Sequence, residues 1–212
     1  MPTTLIHYVT QNAHKKEEID ALVAGATLSD GTPVRDAYAF QIHKVPILET
    51  LEVDLQTMVQ AEVVEAYGHI KLPCIVEHAG LVFEGYEAQS YPGGLTKPMW
   101  DTLGDSFSAE TASKNRRAIA RAVVAFCDGK SVQTFVGETW GTLAGTPRGS
   151  RDFYWDTVFQ PDVDGLPGKK TYAEIVAEPG GLEHKVLTLS QSGKAMLKFL
   201  EYRQKNKPEL WP

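Results

Sequence analysis

Two cysteines in 212 residues leave no material for a disulfide framework or a thiolate metal centre. Cys74 and Cys127 both lie inside apolar runs and read as buried free thiols in a reducing compartment. No apolar run is long enough to span a bilayer, and the first residues lack a signal-peptide pattern, so the expected location is cytoplasmic, without a membrane partner. There is no excess of basic residues. Twenty-one Lys and Arg stand against 27 Asp and Glu, a net charge of −6, which argues against a nucleic-acid polymer as partner. That balance leaves a single nucleotide open, since a nucleotide needs only a local cluster of donors. No internal repeat, heptad or low-complexity segment occurs, which removes solenoids and coiled coils. What remains, with 42% hydrophobic and 23% charged residues, is a globular chain long enough for a real core.

Strand-like and helix-like patterns alternate along the chain, the mark of the α/β class. Leu5–Val9 reads as a strand that runs into Thr10-Gln11-Asn12-Ala13-His14-Lys15, where Asn12 or Thr10 caps a following helix. A strand, a polar turn and a helix start offer backbone N–H groups to an anion. A plain capped helix is the simpler reading of the same residues. Ala37–Val45 reads as a second strand. Glu49 and Glu52 precede a helix from about Leu55 to Tyr67, with Met58, Ala61, Val64 and Ala66 on its apolar side. Pro73–Phe83 reads as a buried strand. Ala109 to about Arg116 looks helical. Ala118–Phe126 then pairs as a hairpin with Val132–Val136 across the turn Cys127–Lys130. Arg116, Arg117 and Arg121 read as a solvated strand edge, and Asp162–Lys170 as a surface turn. An amphipathic helix to about Arg203 closes the chain.

Thr139 to Phe159, TWGTLAGTPRGSRDFYWDTVF, sets the functional question. An alternating run leads into a loop of turn formers, then into three aromatics enclosed by Asp152 and Asp156. Flat apolar faces beside hydrogen-bond acceptors suit a purine, which needs a surface to stack on and a group that reads its edge. Phe153, Trp155 and Phe159 fit an ordinary core equally well. The segment resembles the loop of the inosine triphosphate pyrophosphatase family, whose members hydrolyse inosine and xanthosine triphosphates. The family pattern is A-x-P-R-G, a spacer, then F-G-W/Y-D-P-x-F. Pro147-Arg148-Gly149, Phe153, Trp155, Asp156 and Phe159 match it, Tyr154 stands where the pattern has Gly, and Thr157 where it has Pro.

Other segments extend the resemblance from Leu5 to Leu200. Thr10, Asn12 and Lys15 match the opening T-G-N-x-x-K, which in the family holds the triphosphate, with Gln11 in place of Gly. Glu77, Gly80 and Leu81 match E/D-D-S/T-G-L, and His78 replaces the Asp that handles metal and water. Tyr91–Lys97 resembles the P-G loop after it, and Lys170–Ile175 matches K-T-Y/F-A-E-M/L. Ser190 and Gly193 match S-H-R-G, with Gln191 and Ser192 where the family's His and Arg bind the purine's six-position oxygen. The Lys upstream of that motif falls on Val186 or, with a one-residue shift, on Lys185. The Lys that faces phosphate in the family falls on Glu62, a reversal of charge.

The resemblance implies a long twisted mixed β-sheet with flanking helices, two lobes around a nucleotide cleft, residues 1–212 as one domain, and a homodimer. It implies nucleotide contacts from Thr10, Asn12, Lys15, Phe153, Trp155, Asp156, Ser190 and Gln191. Mg²⁺ would sit on Glu49 and Glu77, and Glu77 and His78 would be catalytic. As a residue type, histidine is a poor ligand for magnesium but a competent base near neutrality; a strand-end His without a catalytic role is the plainer reading. Because the departures at 62, 78, 191 and 192 fall on chemistry, the expected function is a purine nucleoside triphosphate sensor or regulatory subunit, with weak or lost hydrolysis and an effector protein as partner. The alternative is an active pyrophosphatase with altered substrate preference. An interaction scaffold with an empty cleft is a third possibility.

Overall fold

The computed structural model describes residues 3–206, and Asp152 and Phe153 within it by backbone alone. Seven strands form one mixed sheet: β1 (Thr4–Val9), β2 (Tyr38–His43), β3 (Cys74–Phe83), β4 (Pro92–Gly93), β5 (Arg117–Cys127), β6 (Val132–Leu143) and β7 (Phe159–Pro161). Their order is β2-β1-β3-β5-β6-β7, with β4 paired to β3. β1 runs parallel to both β2 and β3, and the remaining pairs are antiparallel. The helices are α1 (Ala13–Gly25), α2 (Val34–Ala37), α3 (Leu55–Ile70), α4 (Thr96–Leu103), α5 (Phe107–Thr111), α6 (Tyr172–Val176), α7 (Gly181–His184) and α8 (Gln191–Lys205). Among the described residues no helix is long and apolar enough to cross a membrane.

Alternation along β3 and β5 builds two cores back to back. Ile75, Ala122, Val124 and Phe126 face α1 and α8, where they meet Leu22, Phe199 and Leu200. Cys74, Val76, Val123, Ala125 and Cys127 face α3 and meet Leu55, Met58, Val59 and Val63. Burial, with Cys127 opposite, pushes the Cys74 thiol up to about 12, as expected of an inert buried thiol. At the far ends of the same strands a third cluster gathers Leu81, Phe83, Ala118 and Ala120 with Phe107, Trp155, Phe159 and Tyr172. The two lobes and long mixed sheet implied by the sequence are therefore present.

Three sequence expectations change. The buried face of α3 is Leu55, Met58, Val59, Glu62, Val63 and Ala66, while Val64 is exposed. Met58 and Ala66 lie on that face as read in the sequence, but Ala61 is exposed like Val64, and Glu62 and Val63 are buried there instead, which places Glu62 among apolar neighbours. Residues 109–116 yield only the last turn of α5. Arg117 and Arg121 do not lie on a sheet edge, because β5 is central, whereas Arg116 precedes β5 and is exposed. Arg117 holds Asp162 through two hydrogen bonds of 2.8 Å and lies over the Trp140 ring, and Arg121 holds Glu138 at 2.7 Å. Asp162 is accordingly an anchor in what had read as a surface turn.

Candidate active site

Between the lobes lies a cleft of about 710 Å³ at the carboxyl end of β1. Thr10, Asn12, Lys15, Glu49, Glu77, His78, Trp155, Asp156 and Gln191 all line it. Ser190 does not. It is buried behind the wall, where its hydroxyl caps α8 by accepting from the backbone N–H of Ser192 and Gly193. The side chain of Phe153 lies outside the described residues. Glu62, Lys97, Tyr154, Lys185 and Ser192 also line the cleft, though none was predicted as a site residue.

The first wall comes from the turn after β1. Asn12 caps α1 by accepting from His14 N at 2.9 Å, and Thr10 Oγ1 accepts from Asn12 N at 3.2 Å. These bonds leave the start of α1 open to the cleft, a favourable place for an anion. One turn in, Lys15 Nζ lies 2.8 Å from Glu77 Oε2 and also donates to the Glu77 carbonyl. Tyr8 donates to Glu77 Oε2 and Ser192 to Glu77 Oε1, each at 3.1 Å. Burial raises the Glu77 carboxyl, but Lys15, then His78 and Ser192, bring it below its ordinary value. The stability this carboxylate contributes is therefore present above its unfolded value near 4.5 and is lost as pH falls through the depressed folded value. Glu77→Gln is expected to flatten the acid side of a stability–pH profile. An acid limb of unchanged slope would show that Glu77 is not the group responsible.

The second wall reads as a base site. Trp155 is largely buried, edge-to-face against Phe159 with ring centroids 5.8 Å apart. Tyr154 is exposed toward the cleft at a φ of 43°, a left-handed conformation in which the family pattern carries Gly. Lys185 is buried, 2.6 Å from Asp156 Oδ2, 2.9 Å from Glu18 Oε1 and 5.0 Å above the Tyr172 ring. Burial works against its ammonium, but the two carboxylates outweigh burial and hold its pKa above the usual lysine value. Burial, together with the neighbouring Glu18, lifts Asp156 above the ordinary carboxylate range despite Lys185. Of the two candidate positions, Lys185 lines the cleft and Val186 packs in the core, and Lys185–Leu189 form a turn of π-helix before α8. A Cβ on Gly137 would stand 2.0 Å from the Gln191 carbonyl. Glycine there lets α8 lie close to β6 and brings Gln191 into the cleft. The Tyr172 hydroxyl lies 3.1 Å from Gln191 Oε1 and 3.2 Å from the Leu189 carbonyl.

Glu62 was missed. It is the one charged side chain on the buried face of α3, a signal visible once that stripe is read in its observed register. Its Oε1 lies 3.7 Å from His78 Nδ1. The two predicted magnesium ligands are also separated. Both oxygens of Glu77 are taken by Lys15, Tyr8 and Ser192, whereas Glu49 is exposed on the rim with Lys97 at 3.2 Å. No group of three or more His, Cys, Asp or Glu that could hold a metal occurs among the described residues. Magnesium on a triphosphate takes one or two carboxylates plus phosphate oxygens and water, so Glu49 fits by its chemistry and position.

The Ham1 family profile matches residues 6–202. An inosine triphosphate pyrophosphatase of Kluyveromyces lactis is 31% identical over 95% of this chain and 97% of its own length. A dITP/XTP pyrophosphatase of Hyperthermus butylicus is 31% identical over 82% of this chain and 85% of its own. Among solved structures, a Ham1 protein from Coxiella burnetii covers 96% of this chain and 99% of its own, at 19% identity and a TM-score of 0.65. A Ham1 protein from Staphylococcus aureus covers 95% of this chain and 98% of its own, at 16% identity and a TM-score of 0.60; both likenesses speak to the fold. With a profile match running from the first strand to the last helix, the chain belongs to the Ham1 family.

Proposed function

We propose that the chain hydrolyses a six-oxo purine nucleoside triphosphate, of the inosine, deoxyinosine or xanthosine type, to the monophosphate and pyrophosphate. The observation that carries this reading is the chain of bonds Lys15–Glu77–Ser192, which ties the phosphate end of the cleft to the first turn of α8, where the base wall begins. The names of the full-length relatives support the hydrolytic half of the reading. A sensor that binds without cleaving is the weaker account, because the departures that favoured it are not independent losses. Glu62 and His78 face each other, and Gln191, whose amide is able to donate, lines the cleft.

In this reading Glu77 fixes Lys15, and Lys15 with the start of α1 holds phosphate. Trp155 and Asp156 form the base wall. Glu49 is the residue that would hold magnesium beside the phosphates, and the ion would supply charge neutralisation there. Gln191 presents an N–H to the six-position. A keto oxygen accepts from it, whereas the amino group of adenine meets it donor to donor. The ratio of kcat/KM for inosine over adenosine triphosphate tests this assignment. One neutral hydrogen bond is worth about 0.5–1.5 kcal/mol, so Gln191→Met is expected to narrow the ratio roughly 2- to 13-fold. An unchanged ratio in the folded variant would assign base choice elsewhere. The homodimer carried by the family resemblance belongs to the same proposal, and sedimentation of the purified chain tests it.

A further inference from the structure

Two departures from the family pattern, 16 positions apart in sequence, meet in space. The pattern has Lys where α3 carries Glu62, and Asp where β3 carries His78. Glu62 is 6% exposed, and its Oε1 has no hydrogen-bond partner among the described residues. A buried carboxylate oxygen left in that way is costly unless something arrives to use it. The nearest group able to do so is the His78 ring, whose Nδ1 lies 3.7 Å away. That distance is beyond a hydrogen bond and within the range of an ion-pair contact. Catalytic contacts of this kind are often long before substrate binds. With Nδ1 toward Glu62, the other ring nitrogen, Nε2, is the one left to meet water, and His78 lines the cleft directly beside the Glu77 that holds Lys15.

We infer that Glu62 and His78 form a carboxylate–imidazole dyad that replaces the family's aspartate. His78 is the catalytic base and Glu62 its positioning partner. The inference rests on the pyrophosphatase reading above. Water gives a proton to His78 Nε2 as its oxygen bonds to one of the two phosphorus atoms of the α–β bridge. The bond from that phosphorus to the bridging oxygen breaks, and its electron pair leaves on the bridging oxygen. The imidazolium, balanced by Glu62, later returns its proton to solvent. The charge reversal at 62 places a buried carboxylate, where the family pattern has an ammonium, against the His78 ring.

The test compares kcat and KM for inosine triphosphate with magnesium, using the full chain. Glu62→Gln keeps the shape and removes the charge. Its kcat is expected to fall about 10- to 100-fold and its KM to stay within roughly twofold, while the thermal midpoint is unchanged or raised, since a buried charge has gone. Glu62→Asp should recover part of the loss. His78→Ala is expected to lower kcat about 100-fold or more, and adding Glu62→Gln to it should cost less than about threefold further, because the two act as one unit. A folded Glu62→Gln protein with wild-type kcat would overturn the dyad and leave the pyrophosphatase reading standing, as would losses that multiply in the double variant. A wild type that releases no pyrophosphate would overturn the pyrophosphatase reading, and the dyad with it.

Discussion

Lys185→Met is expected to lower the midpoint of thermal unfolding by about 6–20 °C. Removing one partner of a buried ion pair costs about 3–5 kcal/mol, and in a chain of this size each kcal/mol moves the midpoint by about 2–4 °C. The lysine is buried, with Asp156 Oδ2 at 2.6 Å and Glu18 Oε1 at 2.9 Å. Methionine fills its volume but leaves two carboxylates facing each other without a cation. The pH dependence gives the mechanism away. Burial already holds the Asp156 carboxyl above its ordinary value, so the folded state keeps its proton to higher pH than the unfolded chain. A carboxyl with a raised folded value adds stability as pH falls toward its unfolded value. The variant should therefore regain stability on acidification from neutral pH, and adding Asp156→Asn should restore part of it at neutral pH. A drop of less than about 3 °C that does not vary with pH would show that the triad contributes little.

Lys15→Ala is expected to raise the KM for a triphosphate roughly 10- to 100-fold, with little change in affinity for the corresponding nucleoside. A hydrogen bond to a charged group is worth about 1.5–3 kcal/mol, and every 1.4 kcal/mol is tenfold. The side chain sits one turn into α1 and is aimed by Glu77, so its charge adds to the anion site at the helix start. Glu77 would lose its cation but keep Tyr8 and Ser192 as donors. Equal losses for triphosphate and nucleoside would mean that Lys15 acts by holding Glu77 and not by touching phosphate.

Much of the architecture was legible in the sequence because it rests on short-range chemistry. Apolar runs marked β1 and β3, and alternation marked β2 and the β5–β6 hairpin, whose register Cys127↔Val132 closes on the Asp128–Ser131 turn. The T-Y-A-E match is a capping box, with Thr171 accepting from Glu174 N and the Glu174 side chain accepting from Thr171 N at 2.8 Å. Arg148 of the P-R-G loop bonds the same glutamate at 3.0 Å, which joins the two motifs in space. Residues joined only through space were not legible. Arg117 and Asp162 are 45 positions apart. The lysine of the base wall was ambiguous between two adjacent positions, and only the folded chain shows that Lys185 lines the cleft while Val186 packs in the core. Tyr154 hides a left-handed backbone under a residue that rarely adopts it. Glu62 read as damage because the resemblance puts a lysine at that position, and only the packed sheet shows that it faces His78.

The central claim is that this cleft cleaves what it binds. Its most direct test is to incubate the purified chain and magnesium with inosine, deoxyinosine, xanthosine, guanosine and adenosine triphosphates, measuring binding alongside pyrophosphate and monophosphate. Pyrophosphate and monophosphate in equal amounts from inosine triphosphate, with kcat/KM about tenfold or more above that for adenosine triphosphate, is the predicted result. Saturable binding of inosine triphosphate with no pyrophosphate released would contradict it and return the chain to the sensor reading.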